Sequence, residues 1–222
     1  MANSKKKNRD PIPCIIHPMA YRRLFIYLNS ILVMKDQNYF QSGLTRLLKG
    51  LYFKYGNAFY AENTDANVAA FVSRGLGFAH YMHPVRGKVV IDVFGPGEIA
   101  LNPDSFFNGT PADTGLEFIK QTNILYVTAK DMEDLFEGFD EAKILTIKTL
   151  AAMFKHIRAK DELHRLLGKE KVKRFFDLYP MLLKPARQAP MQYKDIASYL
   201  NVDQYHFSTL MKELYPHLQS QD

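Results

Sequence analysis

The stretch from Met191 to Leu214 constrains the fold most, because its residues predict two short helices joined by a tight turn. The first helix carries an apolar stripe, which consists of Ile196, Ala197 and Leu200. Asn201 supplies the turn, since asparagine tolerates a left-handed backbone, and Val202 packs beneath it. Asp203 can cap the second helix. Apolar residues recur along that helix at helical spacing, at Phe207, Leu210, Met211 and Leu214. The pattern predicts a helix-turn-helix.

The second helix is predicted to present polar side chains near its start. Those expected to be exposed are Gln204, Tyr205, His206, Ser208 and Thr209. At this place in a helix-turn-helix, hydrogen-bonding side chains meet base edges in the major groove. Lys194 and Lys212 are added as predicted DNA-binding residues, with Lys184 and Arg187 as further candidates for phosphate contacts. The alternative is a pair of helices from an ordinary α-helical domain.

Basic side chains concentrate just before this motif. The formal net charge is +6, from 29 Lys and Arg against 23 Asp and Glu. Residues 155–194 carry 11 basic and 4 acidic side chains, whereas residues 195–222 carry 1 and 4. The basic block could neutralise DNA phosphates, or it could form a solvated helical surface.

Composition and motifs argue against several classes of protein. The single cysteine, Cys14, precludes a disulfide or an all-cysteine iron–sulfur or zinc site within one chain. No apolar run approaches the roughly 20 residues that span a bilayer, and MANSKKKNRD lacks the apolar core of a signal peptide. We therefore expect a cytoplasmic protein without a membrane partner. No catalytic motif is present, so we predict no enzyme activity, catalytic residue, metal or cofactor.

The remainder of the chain changes character twice. Residues 19–50 show helical spacings of leucine that continue to Leu51. Residues 52–128 contain short β-rich runs separated by Gly, Pro, Asn and Asp, which indicates an antiparallel barrel or double sheet. Residues 139–160 form a helix without internal Gly or Pro, and Leu166 to Pro180 form another.

The 139–160 helix carries a narrow apolar seam at a spacing near 3.5 residues. Its members are Ile147, Leu150, Ala151, Phe154 and Ile157. This period is typical of a helix that pairs with a second copy of itself. The alternative is packing of the helix against its own barrel.

A helical start, a β-barrel, a pairing helix and a C-terminal helix-turn-helix, in that order, resemble the Crp/Fnr family of bacterial transcription regulators over nearly the whole chain. Three turns resemble family motifs as well: Lys54-Tyr55-Gly56-Asn57, Phe71-Val72-Ser73-Arg74-Gly75 and Gly95-Pro96-Gly97-Glu98. The resemblance implies an α+β fold, in which a jelly-roll-like sensor barrel and a dimerisation helix precede a winged helix-turn-helix.

The resemblance also sets the expected domains and partners. We expect a flexible basic N-terminus at 1–18, a cyclic-nucleotide-binding-like barrel at 19–138, a dimerisation helix and hinge at 139–162, and the DNA-binding domain at 163–222. A homodimer would bind palindromic double-stranded DNA, with RNA polymerase and an unknown small-molecule effector as candidate partners.

The expected ligand pocket departs from the cyclic-nucleotide-binding members. Its four positions are Glu98, Asn102, Ala112 and Asp113. In those members a glutamate holds the ribose, and an arginine followed by Ser or Thr holds the cyclic phosphate. Asn102, Ala112 and Asp113 stand at these places, and Ala112 cannot neutralise a phosphate. Cyclic AMP is therefore not the predicted effector. His80 and His83 would point to opposite faces of a strand, so no metal or haem site is predicted there.

The DNA-binding region departs from the family too. Guanine-reading members carry arginines where this chain has Gln204 and Thr209, which favours a site rich in A·T pairs. Only eight residues follow Leu214, so the wing is predicted to be missing or very short. These departures leave an alternative function: a small-molecule-binding or protein-interaction module whose helix-turn-helix no longer reads DNA.

Overall fold

The computed structural model describes residues 10–218, except for the side chain of Ala159. It is a mixed α and β structure, as predicted. The helices are α1 (Pro18–Ile31), α2 (Gln37–Leu47), α3 (Pro103–Asn108), α4 (Ala129–Gly138), α5 (Asp140–Arg165), α6 (Gly168–Leu178), α7 (Tyr193–Tyr199) and α8 (Gln204–Leu214). The strands are β1 (Ile12–Pro13), β2 (Lys49–Phe53), β3 (Asn57–Tyr60), β4 (Val68–Arg74), β5 (Gly77–His83), β6 (Gly87–Phe94), β7 (Ile99–Ala100), β8 (Gly115–Phe118) and β9 (Thr122–Thr128).

The strands form two sheets. One has the order β1-β2-β9-β4-β7 and the other β3-β8-β5-β6. β9 is central to the first sheet: it pairs antiparallel with β2, where Leu51 lies opposite Ile124, and with β4, where Ala70 lies opposite Tyr126. Strands β4, β5, β6, β8 and β9 all lie within residues 52–128, so the short β-rich runs predicted there are confirmed.

The central strands separate two apolar cores because successive side chains point to opposite faces. Ala70, Val72 and Ile124 belong to a core that also contains Phe53, Leu116 and Phe118. Their neighbours Phe71 and Leu125 lie in a second core beneath α1, α2, α4 and the start of α5, with Leu24, Leu28, Phe40, Leu44, Leu135 and Leu145. Both faces of the first sheet are thus covered, which explains why β4 and β9 are nearly continuous apolar runs.

The helical start was predicted too far along the chain. Leu51 continues a helical spacing of leucines, yet it lies in β2 and pairs with β9. Cross-strand pairing therefore outweighs the local helical pattern. Of the segment 1–18, which we predicted to be flexible, residues 1–9 lie outside the described residues. In the remainder, Ile12 and Pro13 pair with β2.

The fold divides into two compact units. The first comprises the chain up to Ala79 together with Phe94–Thr149, and the second comprises His80–Val93 together with the chain from Leu150. The second unit, which we call the C-terminal unit, thus includes the outer part of the β5–β6 hairpin. The domain boundaries expected from sequence had assigned residues 80–93 to the barrel.

The C-terminal unit has its own apolar core. Its fully buried members include Val172, Phe175, Leu182, Ile196, Leu200 and Phe207. Aromatic rings join the helices: Phe175 lies 5.8 Å from Tyr199 between ring centroids, and Tyr193 meets Phe207 edge-on at 5.5 Å. This core holds α7 and α8 against α6.

Candidate nucleic-acid interface

The turn between α7 and α8 has the backbone geometry predicted from Asn201. This residue adopts φ +51°, in the left-handed region. The amide of Asn201 donates to the Ser198 carbonyl at 3.0 Å, and the amide of Val202 donates to the Ala197 carbonyl at 3.0 Å. Such paired bonds around a left-handed residue satisfy carbonyls that a helix end otherwise leaves open. The chain therefore leaves α7 abruptly and enters α8 at Gln204, after the four residues 200–203.

The start of α8 is capped as the sequence predicts. The Asp203 carboxylate accepts from the amides of Tyr205 and His206, at 2.9 and 3.0 Å. A negative charge at this position also complements the positive end of the helix dipole. The apolar stripes are buried too, as predicted, at Ile196, Ala197, Leu200, Phe207, Leu210 and Met211, whereas Leu214 and Val202 are half-buried.

The structure exposes three of the five polar side chains that were predicted to be exposed on α8. Gln204, Tyr205 and His206 are exposed, and 83% of Tyr205 faces solvent. Ser208 and Thr209 are half-buried, so the prediction of their exposure is wrong. Their hydroxyls donate to the carbonyls of Gln204 and Tyr205, one turn earlier, at 2.9 and 3.1 Å. Ser208 and Thr209 thus face neighbouring elements more than the first turn of α8 does.

The two lysines among the predicted DNA-binding residues are exposed. Lys194 lies in the first turn of α7, and Lys212 lies in the last turn of α8. Lys184 and Arg187 are exposed in the segment that precedes α7.

Two buried charged residues support the motif from beneath, and sequence reasoning missed both. Lys171 on α6 is 7% exposed, and its Nζ donates to the Leu200 carbonyl at the end of α7, 3.2 Å away. Asp195 on α7 is 4% exposed, and Lys88 on β6 lies 3.1 Å from its carboxylate. A cation at a helix C-terminus is favourable, so Lys171 stabilises the end of α7. In the sequence, Lys171 is one of several lysines in a basic run, so a surface position would be expected; only the packing of α6 against α7 shows that it is buried.

Within the residues described, no strand follows α8. Residues 216–218 form a short 3₁₀ turn, and Tyr215 packs edge-on against Phe176 at 5.7 Å. The described C-terminal unit therefore has a helix-turn-helix without wing strands.

The seam predicted on α5 is largely exposed in the single chain. Ile147 and Phe154 are 66% and 65% exposed, Ile157 is 45% exposed, and Ala151 is also exposed. Leu150 is half-buried. Ile144, which the prediction did not include, extends the same stripe by one turn and is 49% exposed. Large apolar side chains that recur on one helix face are typical of an interaction surface.

The four predicted pocket positions lie in the first unit and bond to one another or to nearby backbone. Asn102 caps α3 through a bond from the Ser105 amide, and its Nδ2 donates to Asp113 at 2.6 Å. Glu98 accepts from the Gly95 amide at 2.6 Å, and Ala112 is fully buried. The structure thus joins Asn102 and Asp113, two of the four positions expected to line the ligand pocket.

His83, one of the two histidines on β5, has a local structural role. The Nδ1 of His83 accepts from the amides of Val85 and Arg86, at 3.1 and 3.2 Å, and so closes the turn of the hairpin. Within residues 10–218, no three His, Cys, Asp or Glu side chains are grouped to hold a metal ion. None of the helices described there has the length and apolar character needed to cross a bilayer.

Stability of the C-terminal unit is expected to fall in mild acid because of His164. Burial foremost, and then the Lys171 ammonium, lower the pKa of His164, whose ring meets Tyr199 edge-on at 5.0 Å. The unfolded chain then binds more protons than the folded chain as pH falls below about 6.5. The stability contributed by neutral His164 is full above that pH and is lost as the pH falls to the pKa of His164 in the folded chain.

Thermal unfolding at pH 7.5 and 5.5 tests this expectation. His164→Gln should reduce the pH dependence of the unfolding temperature, whereas His156→Gln, at an exposed site on the same helix, should not. An equal pH dependence in both variants would contradict the role of His164.

Several solved structures match most of the chain in fold. FixK2 from Bradyrhizobium japonicum superposes with a TM-score of 0.57 at 19% identity, covering 77% of this chain and 84% of that one. The cyclic di-GMP-responsive global regulator CLP from Xanthomonas campestris gives 0.59 at 13% identity, covering 81% and 92%. A protein assigned to the Crp/Fnr family of transcriptional regulators, from Eubacterium rectale, gives 0.59 at 13% identity, covering 81% and 83%. No family model and no curated protein matches the chain.

At these identities the likeness establishes the fold. The chain has the architecture of Crp/Fnr regulators, a cyclic-nucleotide-binding-type double sheet followed by a helical C-terminal domain. The Crp/Fnr-like fold expected from sequence is thus confirmed.

Proposed function

We propose that this chain is a homodimeric, DNA-binding transcription regulator of the Crp/Fnr type. The observation that carries the proposal is the complete helix-turn-helix, with its left-handed Asn201, its capping Asp203 and an exposed polar tip on α8. A buried core beneath the motif makes this tip rigid, as base recognition requires. The fold shared with known regulators supports the same conclusion.

The exposed residues suggest a division of roles on DNA. Gln204 and His206 can hydrogen-bond to base edges, and glutamine pairs best with adenine. Lys194 and Lys212 have side chains suited to backbone phosphates, which position a protein without reading sequence. The half-buried Ser208 and Thr209 keep only oxygen lone pairs for DNA, because their hydroxyl protons are already used. We therefore place sequence recognition chiefly in the first turn of α8.

The apolar stripe on α5 supports a second copy of the chain as its partner. A seam near 3.5 residues is self-complementary along two paired helices. Pairing would bury Ile147, Phe154 and Ile157, which are exposed in the single chain. Two recognition helices held by such a pair would address two half-sites about one DNA turn apart.

The barrel is proposed to sense something other than cyclic AMP, or to be a structural domain. A buried Ala112 and a bonded Asp113 provide no cation for a cyclic phosphate. A carboxylate at that place would repel the phosphate anion.

Single substitutions on the proposed DNA-binding surface are expected to separate recognition of bases from contacts with backbone phosphates. Duplexes are first selected from random DNA by the purified protein, and affinities are then measured by fluorescence anisotropy at two salt concentrations. Gln204→Ala should lower discrimination between the selected site and single-base variants by about 1–3 kcal/mol at one position. Lys194→Ala should weaken all duplexes alike and reduce the salt slope by about 1.

The control is Lys173→Ala, which removes an exposed lysine from α6 and should leave affinity and slope nearly unchanged. Identical behaviour of the Gln204 and Lys194 variants on every duplex would refute the assigned roles. If no sequence is enriched, with or without cell extract as a source of effector, the proposal fails. A protein-interaction or metabolite-binding module would then be the better description.

A further inference from the structure

The tip of the β5–β6 hairpin is built to hold an arginine outward. His83 closes the turn by accepting from the amides of Val85 and Arg86. Gly87 returns the chain through φ +72°, a left-handed value that suits glycine. Arg86 is exposed at the tip. Among the residues that the structure describes, no carboxylate forms an ion pair with Arg86.

Strand β6 is bonded to the helix-turn-helix at two alternate residues. The ammonium of Lys88 lies 3.1 Å from the carboxylate of Asp195, which is almost completely buried. The amide of Val90 donates to the Ser198 hydroxyl at 3.1 Å. β6 is an edge strand, and these bonds to α7 cover its open side.

The same strand is held to the other helices of the C-terminal unit. The Lys160 ammonium donates to the Asp92 carboxylate and to the Val93 carbonyl, both at 2.8 Å. The Tyr179 hydroxyl donates to the same carbonyl at 3.1 Å. With Lys88 and Val90, these contacts fix the hairpin beside α7 along the length of β6.

The hairpin tip and the start of the recognition helix line one open cleft of about 550 Å³. Arg86 and Lys88 contribute from the hairpin, Lys194 from α7, and Asn201 and Gln204 from the turn and α8. Asp195 and Asp203 also line the cleft, but Lys88 pairs with the first and the amides at the start of α8 bond to the second. The cations left to face an outside partner are Arg86 and Lys194.

We propose that the hairpin tip is a second DNA-contacting element, in which Arg86 binds a backbone phosphate beside the bases read by Gln204. This inference rests on the proposed function and extends it to a segment outside the helix-turn-helix. In the described chain no wing strands follow α8. The hairpin supplies what a wing supplies, a rigid β-turn with a basic tip beside the recognition helix. A planar guanidinium can hold a phosphate through two hydrogen bonds.

Arg86→Ala tests the proposal in the full-length protein, with a labelled duplex that wild-type protein has selected from random DNA. Affinity is expected to fall about tenfold at low salt, with equal losses on single-base variants of the site. The salt slope should fall by about 1, as for the loss of one phosphate contact. Arg86→Lys should recover part of both quantities. The matched control is Arg174→Ala, which removes an exposed arginine from α6 and should change neither.

Each outcome separates this inference from the proposed function. If wild-type protein selects no DNA, the proposed function fails and the hairpin assignment fails with it. If wild-type protein binds a selected site and Arg86→Ala leaves affinity and salt slope unchanged, only the hairpin assignment is refuted. Tighter binding by Arg86→Ala would also refute it, since the tip would then obstruct DNA. Circular dichroism of each variant excludes unfolding as the cause of a loss.

Discussion

Replacing Phe154 by aspartate is expected to convert the proposed dimer to a monomer and to abolish the tight operator binding proposed for it. Phe154 is 65% exposed in the single chain and belongs to the apolar stripe on α5. In a paired helix the new carboxylate would face its own copy across a dry seam, where unpaired charge is strongly destabilising. Light scattering measures the change in mass. Losing the second half-site should lower operator affinity by a factor on the order of 100 or more.

His156→Asp is the control for this substitution. It introduces the same carboxylate two residues along α5, at an exposed position off the stripe. The variant should remain dimeric and bind the operator nearly as well as the wild-type protein. A Phe154→Asp variant that keeps the mass and affinity of the wild type would show that the seam lies elsewhere.

Gly75→Ala is expected to destabilise the first unit by about 3 kcal/mol or more. Gly75 has φ +92°, and a Cβ there would overlap the side chain and the backbone of Thr122. Thr122 is fully buried, and its hydroxyl bonds to both the amide and the carbonyl of Leu76, at 3.2 Å each. The neighbour therefore has no room to move, and urea unfolding should report a lower midpoint.

Gly97→Ala separates the two causes of that loss. Gly97 has nearly the same backbone angle, φ +94°, but a Cβ at Gly97 would meet nothing within 4 Å. Gly97→Ala should lower the free energy of unfolding by about 1 kcal/mol, which is the backbone strain alone. Equal destabilisation by the two substitutions would show that contact with Thr122 contributes nothing.

Much of the motif was predictable because short-range physics governs it. The left-handed Asn201 and the capping Asp203 act within a few residues of themselves, and the structure confirms both. The apolar stripes of α7 and α8 follow from helical spacing alone. The burial of Ser208 and Thr209 did not follow, since it depends on how the packed helices face each other.

In the barrel, the structure departs from the sequence prediction for the same reason, because contacts between distant segments decide it. Leu51 satisfies a helical spacing, yet pairing with β9 places it in a strand. The bond between Asn102 and Asp113 joins residues 11 apart that no local pattern connects. The short strands β1 and β7 have two residues each and carry no periodicity that could identify them.

The sequence by itself determined the order of the helical and β-rich regions, the helix-turn-helix and its polar tip, because propensity, capping and periodicity act within one helix or one turn. Tertiary structure alone decided that Lys171 and Asp195 are buried supports and that the hairpin carrying Arg86 lies beside α7. Asp195 meets Lys88 across more than a hundred residues of chain. Such a pairing depends on how distant segments fold together, and no pattern of neighbouring residues encodes it.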